Sequence, residues 1–204
     1  MADTIIAKMK GFLLNPVETF KASRDDSPGT VFTYFGIILL VYAILSAVIT
    51  AITFTALSAL GMISSMIPGF TPGLGMLMPV IVFICVIIGG IIGTIIFGAW
   101  LHLWIYIFDG RQGIMQTIKA VMYGHTPFLL FGWIPLISFI FAIWTLILDI
   151  FGVRELCGLS TGRAVTALVV AIVIPILVIA ILVVLFIMPS MMSAYSPGLP
   201  RAGY

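Results

Sequence analysis

Apolar residues run along this chain in four long blocks, not in the short alternating stretches of a water-facing sheet. Val31 to Leu60 and Met78 to Phe108 each exceed the roughly 20 residues that carry a helix across about 30 Å of hydrocarbon, so both predict spanning helices that tilt or project beyond the lipid. The third block lies between Lys119 and Asp149, holds no charged residue, and is broken at Phe131-Gly132-Trp133-Ile134-Pro135. It predicts a hairpin with limbs at 117–132 and 134–151. These limbs either cross as two thin helices kinked at Thr126-Pro127 or turn back inside the membrane. Crossing is the favoured reading, because Trp133 and Pro135 suit an outer interface. The last block, Ala164 to Met188, is long enough to span despite Pro175. The expected fold is therefore all-α: a polytopic membrane helix bundle of five transmembrane helices at about 31–60, 78–108, 117–132, 134–151 and 164–188, within a transmembrane domain at 30–190.

Ahead of the first block, residues 3 to 24 read as amphipathic. Ile5, Ile6, Met9, Phe12 and Leu13 share one helical face, with Asp3, Lys8 and Lys10 largely off it. Asn15-Pro16-Val17-Glu18 then looks like a helix restart, with Asn as N-cap and Pro in the first turn. Residues 1–29 are expected to form one or two short helices on the membrane surface, a frayed soluble tail being the plainer alternative. Residues 191–204 read as a flexible tail rich in Pro, Gly and Ser.

Composition turns these patterns into a solvent argument. Hydrophobic residues make up 62% of the chain and charged ones 8%, against about a quarter charged in a soluble domain, so lipid is the solvent for most of the surface. No cleaved signal is apparent, since the first apolar run begins only at Val31. The net charge of +2 is too small to argue for nucleic acid. The two cysteines, Cys85 in an apolar run and Cys157 in a charged loop, do not make a disulfide framework. Position says more than total charge. With five crossings and the N-terminus inside, Lys8, Lys10, Lys21, Arg24, Arg111, Lys119, Arg154 and Arg163 all fall on the cytoplasmic side and only Arg201 outside. This predicts a multi-pass cell-membrane protein with its C-terminus extracytoplasmic.

Small residues recur in the first two spans. Ala43, Ala47 and Ala51 repeat every four residues, as do Gly89 with Gly93, while Gly90 and Gly98 extend a second stripe. Such spacing lets helix backbones approach closely. The first two spans are expected to pack together; a homo-oligomer seam is the competing reading.

Ionisable groups inside lipid are costly and each invites a functional reading. His102, His125 and Asp149 lie about 7 to 11 Å below the inner boundary by helical rise. A shared depth admits a proton relay or, with Cys157, a metal site; the plainer reading is two satisfied histidines and an Asp offsetting Arg154. Methionines gather toward the outer side (Met62, Met66, Met76, Met78, Met188, Met191 and Met192), a set that suits Cu(I) or, more plainly, fills apolar gaps. Trp100, Trp104, Tyr106 and Trp133 read as interfacial anchors. No phosphate loop, HExxH or GxSxG motif occurs. Ser160-Thr161-Gly162-Arg163 reads as a helix entry with a hydroxyl as N-cap, in preference to a nucleophile site. No cofactor is expected.

Three segments then carry a resemblance: GFLLNPVETF at 11–20, DGRQGIMQTIKAVMYGHTPFLL at 109–130 and ELCGLSTGRAV at 155–165. Together the sequence resembles the YIP family of Ypt/Rab-GTPase-interacting membrane proteins, in its prokaryotic form. The acidic Asp-Leu-Tyr-Gly-Pro-like motif of the eukaryotic branch is absent, and Tyr123-Gly124 with Pro127 corresponds to its Gly-Tyr-like motif. The resemblance implies a five-span protein that organises membranes or recruits partners, with no enzymatic reaction. The expected partner face is cytoplasmic and includes Asp109, Arg111, Lys119, Arg154, Glu155 and Arg163. The rival class is a small-solute or ion pathway, proton-coupled through His102 and His125.

Overall fold

The computed structural model describes residues 2–66 and 72–189, so Met191 and Met192, the tail at 191–204 and part of the loop after Leu60 lie outside the described residues. The order is α1 (Ala2–Leu14), α2 (Pro16–Ala22), α3 (Pro28–Ala59), α4 (Met62–Met66), α5 (Pro72–Ile107), α6 (Ile114–Gly124), α7 (Thr126–Phe131), α8 (Ser138–Cys157) and α9 (Thr161–Leu182), which runs on as a π-helical turn at Val183–Ile187. Among the described residues there is no strand, and the fold is all-helical.

The helix ends follow from local chemistry. Ser27 caps α3 by accepting from the Thr30 amide at 3.2 Å, with Pro28 in the first turn, where its missing N–H costs nothing. Ser160 caps α9 in the same way through the Arg163 amide. Asn15 does precede Pro16, but its side chain makes no cap; the Thr19 hydroxyl instead donates to the Asn15 carbonyl at 2.8 Å. Gly158 ends α8 at φ 71°, the left-handed geometry that favours glycine.

Among the described residues three helices are long and apolar enough to cross a membrane: Pro28–Ala59, Gly75–Ile107 and Thr161–Ile187. The hairpin limbs differ in kind. Its first limb is divided into the 11-residue α6 and the 6-residue α7, and the 20-residue α8 carries Asp149, Arg154 and Glu155 in its second half.

Packing is uneven along the long helices. On α3 the buried positions run from Val31 to Ala43 and stop; on α9 they run from Ala164 to Ala171 and stop; on α5 the buried Leu101 and Ile105 lie toward its C-terminal end. Against these ends sit α6, α7, α8 and the two N-terminal helices, with Val121, Met122, Leu148, Val153 and Leu156 in the shared core. Beyond that packed end the long helices expose Ile44, Val48 and Ile52, then Met76 to Ile92, then Ile176 to Met188. So much contiguous apolar surface is ruinous in water and ordinary in lipid.

The first two spans do pack on each other, and the glycines divide. A Cβ on Gly90 would stand 2.6 Å from Leu39, and one on Gly98 would stand 3.2 Å from Ile118, so both mark close approaches. Ala43 is buried, while Ala47 and Ala51 are half-buried. Gly89 and Gly93 meet nothing within 4 Å, and they are not helix contacts. The N-terminal segment also departs from expectation. Phe12 and Phe20 are fully buried, so α1 and α2 are folded into the packed end and do not merely rest on a surface. The reason is aromatic: the apolar face of α1 meets the rings of α3 and α6.

Candidate functional site

The packed end is closed by a polar cluster set in aromatic rings. Phe12 stacks on Tyr123 at 4.8 Å between centroids and meets Phe20 edge-on at 4.8 Å, and Tyr34 meets Tyr123 edge-on at 5.2 Å. Above these rings the Lys8 ammonium pairs with the Asp26 carboxylate and donates to the Tyr123 hydroxyl at 3.1 Å. That hydroxyl donates in turn to Asp26 Oδ2 at 2.5 Å. Below, Tyr34 and Thr126 share a hydrogen bond of 3.0 Å, and the Thr126 hydroxyl reaches the Tyr123 carbonyl at 2.6 Å. Four segments are thereby tied to one tyrosine. Burial pushes the Asp26 carboxyl up, but the Lys8 ammonium and the Tyr123 hydroxyl outweigh it and hold the group below its ordinary 3.8. Sequence reasoning missed this cluster; Tyr123 lies in one of the segments that carry the family resemblance, but nothing marks Lys8 or Asp26 as partners.

A second tie locks the linker after α2. Lys119 Nζ donates to the Arg24 carbonyl at 2.9 Å and Gln116 Nε2 to the same oxygen at 3.3 Å. Lys119 is 5% exposed, which corrects its place in the expected partner face: it serves the interior. Phe20 rests on Gly152, where a Cβ would stand 2.9 Å from the ring, so α2 docks on α8 only because that residue is glycine.

His102 and His125 each take a separate partner, and Asp149 is buried without one at Oδ1. His102 Nδ1 lies 2.8 Å from the Thr117 hydroxyl, which continues to Cys157 Sγ at 3.5 Å and so links α5, α6 and α8. Burial pushes the Cys157 thiol up to about 11, with Thr117 and Arg24 opposing it, which leaves the thiol unreactive near neutral pH. His125 Nδ1 lies 2.7 Å from the Val121 carbonyl one turn back on its own helix. Asp149 is buried against Gly124, and its Oδ1 has no hydrogen-bond partner. No group of three His, Cys, Asp or Glu side chains suited to a metal occurs among the described residues.

The remaining expected face residues gather around two loops. Asp109 pairs with Arg111 at 3.4 Å and with Arg163 at 3.8 Å, joining the α5–α6 turn to the start of α9, and Arg111 lies over the Tyr106 ring at 4.0 Å. Arg154 pairs with Glu155 at 2.6 Å and reaches the Thr161 hydroxyl at 3.5 Å. Asp109, Arg111 and Arg163 are well exposed, whereas Arg154 and Glu155 are half-buried.

The Yip1 domain family model matches residues 10–187. The chain belongs to the Yip1 domain family. Comparison with curated proteins and with solved structures returns no match. All three segments contribute to the packed end: Phe12 and Phe20 from the first, Tyr123, Gly124 and Thr126 from the second, Leu156 and Cys157 from the third. Family membership and the apolar helices establish a membrane protein.

Proposed function

We propose that this Yip1 domain protein is a non-enzymatic scaffold whose packed end faces the cytoplasm and recruits a partner through the α5–α6 and α8–α9 loops. The observation that carries the reading is the concentration of charge: the Asp109, Arg111 and Arg163 cluster is exposed on the one end of the molecule that also holds the buried core. A rigid platform with presented charges suits recruitment. His102 and His125, bonded to Thr117 and to the Val121 carbonyl and not to each other, support this reading over a pathway proton-coupled through the two histidines.

The membrane layout that fits best has α3, α5 and α9 crossing and the α6–α8 hairpin turning back from the cytoplasmic side. The Lys8–Asp26 pair belongs at the water boundary, and it is bonded to Tyr123. From Tyr123 to Pro135 the chain advances 12 residues, about 18 Å as helix, well short of the 30 Å that a crossing needs. The turn is also self-satisfied: the amides of Gly132, Ile134 and Ser138 donate to Phe128, Phe131 and Ile134, and Trp133 Nε1 donates to Leu130. Leu136, Phe139 and Ile140 project outward there, as lipid-facing residues do. An odd number of crossings keeps the N-terminus cytoplasmic and the C-terminus outside, as with five.

The test of recruitment is affinity capture from native membranes with the double variant Arg111→Glu, Arg163→Glu. Loss of co-purifying protein with unchanged membrane insertion supports the scaffold; an unchanged partner set refutes it.

A further inference from the structure

Between α3, α5 and α7 lies a cavity of about 310 Å³ lined by, among others, Leu39, Tyr42, Gly89, Gly93, Thr94 and His125. It lies at the small end of the range of ligand pockets. Gly89 and Gly93 form its floor, since no atom stands within 4 Å of where their Cβ would be. Adjacent Gly90 makes the helix contact, against Leu39. Along α5 the lining runs from Phe97 to Val86, about 16 Å of helix.

Three polar side chains line this otherwise apolar space. Thr94 is only 7% exposed, and neither its hydroxyl nor that of Tyr42 has a hydrogen-bond partner among the described residues. His125 Nδ1 faces the Val121 carbonyl, which can only accept. The proton of the neutral ring therefore sits on Nδ1, and Nε2 is left with a lone pair. In hydrocarbon each of these groups calls for a partner. A group that resolves all three must donate to His125 and accept from Thr94 and Tyr42. A carboxylate, ester or ether oxygen only accepts and an ammonium only donates; a neutral hydroxyl does both. The glycine floor lets an apolar body lie directly on the helix backbone, with Phe128 across from it.

We infer that the groove between α3, α5 and α7 binds a membrane amphiphile whose polar end is a single neutral hydroxyl: a long-chain or polycyclic alcohol, not a phospholipid or a fatty-acid anion. The site lies within the membrane part of the bundle and is separate from the partner-recruiting face, so it stands or falls independently of recruitment.

The test uses the full chain in phosphatidylcholine nanodiscs and a hexadecanol probe that bears a mid-chain diazirine and a terminal alkyne. Its methyl ether and the matching fatty acid serve as comparison probes. The alcohol is expected to label peptides spanning 86–97 and 125–129 about fivefold more than the ether, as one net hydrogen bond allows. Gly93→Leu fills the groove and abolishes labelling, while Gly36→Leu, also in open space on α3, leaves it intact. Should Gly93→Leu fail to fold, the near-isosteric double variant Tyr42→Phe, Thr94→Val decides: it removes the two donors that alcohol and ether both accept from, so labelling by both falls while the alcohol keeps the advantage it draws from His125. Equal labelling by alcohol, ether and acid, or labelling indifferent to the groove variants, means that bulk lipid fills the groove and overturns the inference.

Discussion

The hydroxyl of Tyr123 and the carboxylate of Asp26 stand 97 residues apart in sequence and bond directly. Asp26→Asn takes the counter-charge from the half-buried Lys8 ammonium, and Tyr123→Phe removes the hydroxyl that bonds both Lys8 and Asp26, so each should destabilise the docking of α1 by about 1–3 kcal/mol. Hydrogen exchange along α1 reads this as faster exchange with α9 unchanged. The pH response follows from the lowered Asp26 pKa. A carboxyl lower in the folded than in the unfolded state contributes stability that is fully present above the ordinary 3.8 and is lost as pH falls through the lower folded value. Protection of α1 should therefore hold from neutral pH down to about 3.8 and be lost between there and the lower folded value; protection that declines already near pH 6 would point to a histidine instead. Gly152→Val tests a different contact. Its side chain meets Phe20 and the Ala120 methyl, 2.9 and 3.0 Å from the Cβ position, and overpacking of that kind costs about 1–3 kcal/mol. Depth along a helix is legible in sequence and rotation is not. His102, His125 and Asp149 read as sharing a depth by helical rise, yet the structure sets them against Thr117, the Val121 carbonyl and Gly124 separately. Lys119 reads as an interfacial charge, because no pattern shows that its ammonium turns inward to Arg24.

At the scale of elements, hydrophobic run length identified α3, α5 and α9 directly, since a block of more than 20 apolar residues has one cheap conformation in lipid. The break at Phe131 to Pro135 and the cap at Ser160 were legible too, because glycine, proline and hydroxyl side chains act locally. The burial of α1 and α2 was not. An amphipathic face of Ile5, Met9 and Phe12 reads the same whether lipid or protein covers it. Here protein covers Phe12 completely. Phe12→Ala should cost about 3–5 kcal/mol, visible as a lower thermal midpoint and as trypsin cleavage at Lys8 and Lys10 in folded, detergent-solubilised protein. Cleavage no faster than in the wild type would show α1 to be docked by something other than this ring.

For the whole molecule, one end is a compact core of short helices and the other is three bare apolar helices. This asymmetry accounts for the gathering of charge at the packed end, for the self-bonded turn at 132–138, and for the exposure of Leu136 at 93%. It also keeps the two proposed sites apart: the charged loops for a partner and the glycine-floored groove for an amphiphile. In the proposed layout the α6–α8 hairpin dips into the bilayer and returns. A spin label at Leu136→Cys in nanodiscs tests it most directly, by comparing collision with oxygen and with a water-soluble nickel chelate. The account predicts strong oxygen and weak nickel collisions, the signature of a tip within hydrocarbon. Strong nickel collision, matching a label at Leu60→Cys beyond the end of α3, would place the tip in outer water and contradict it.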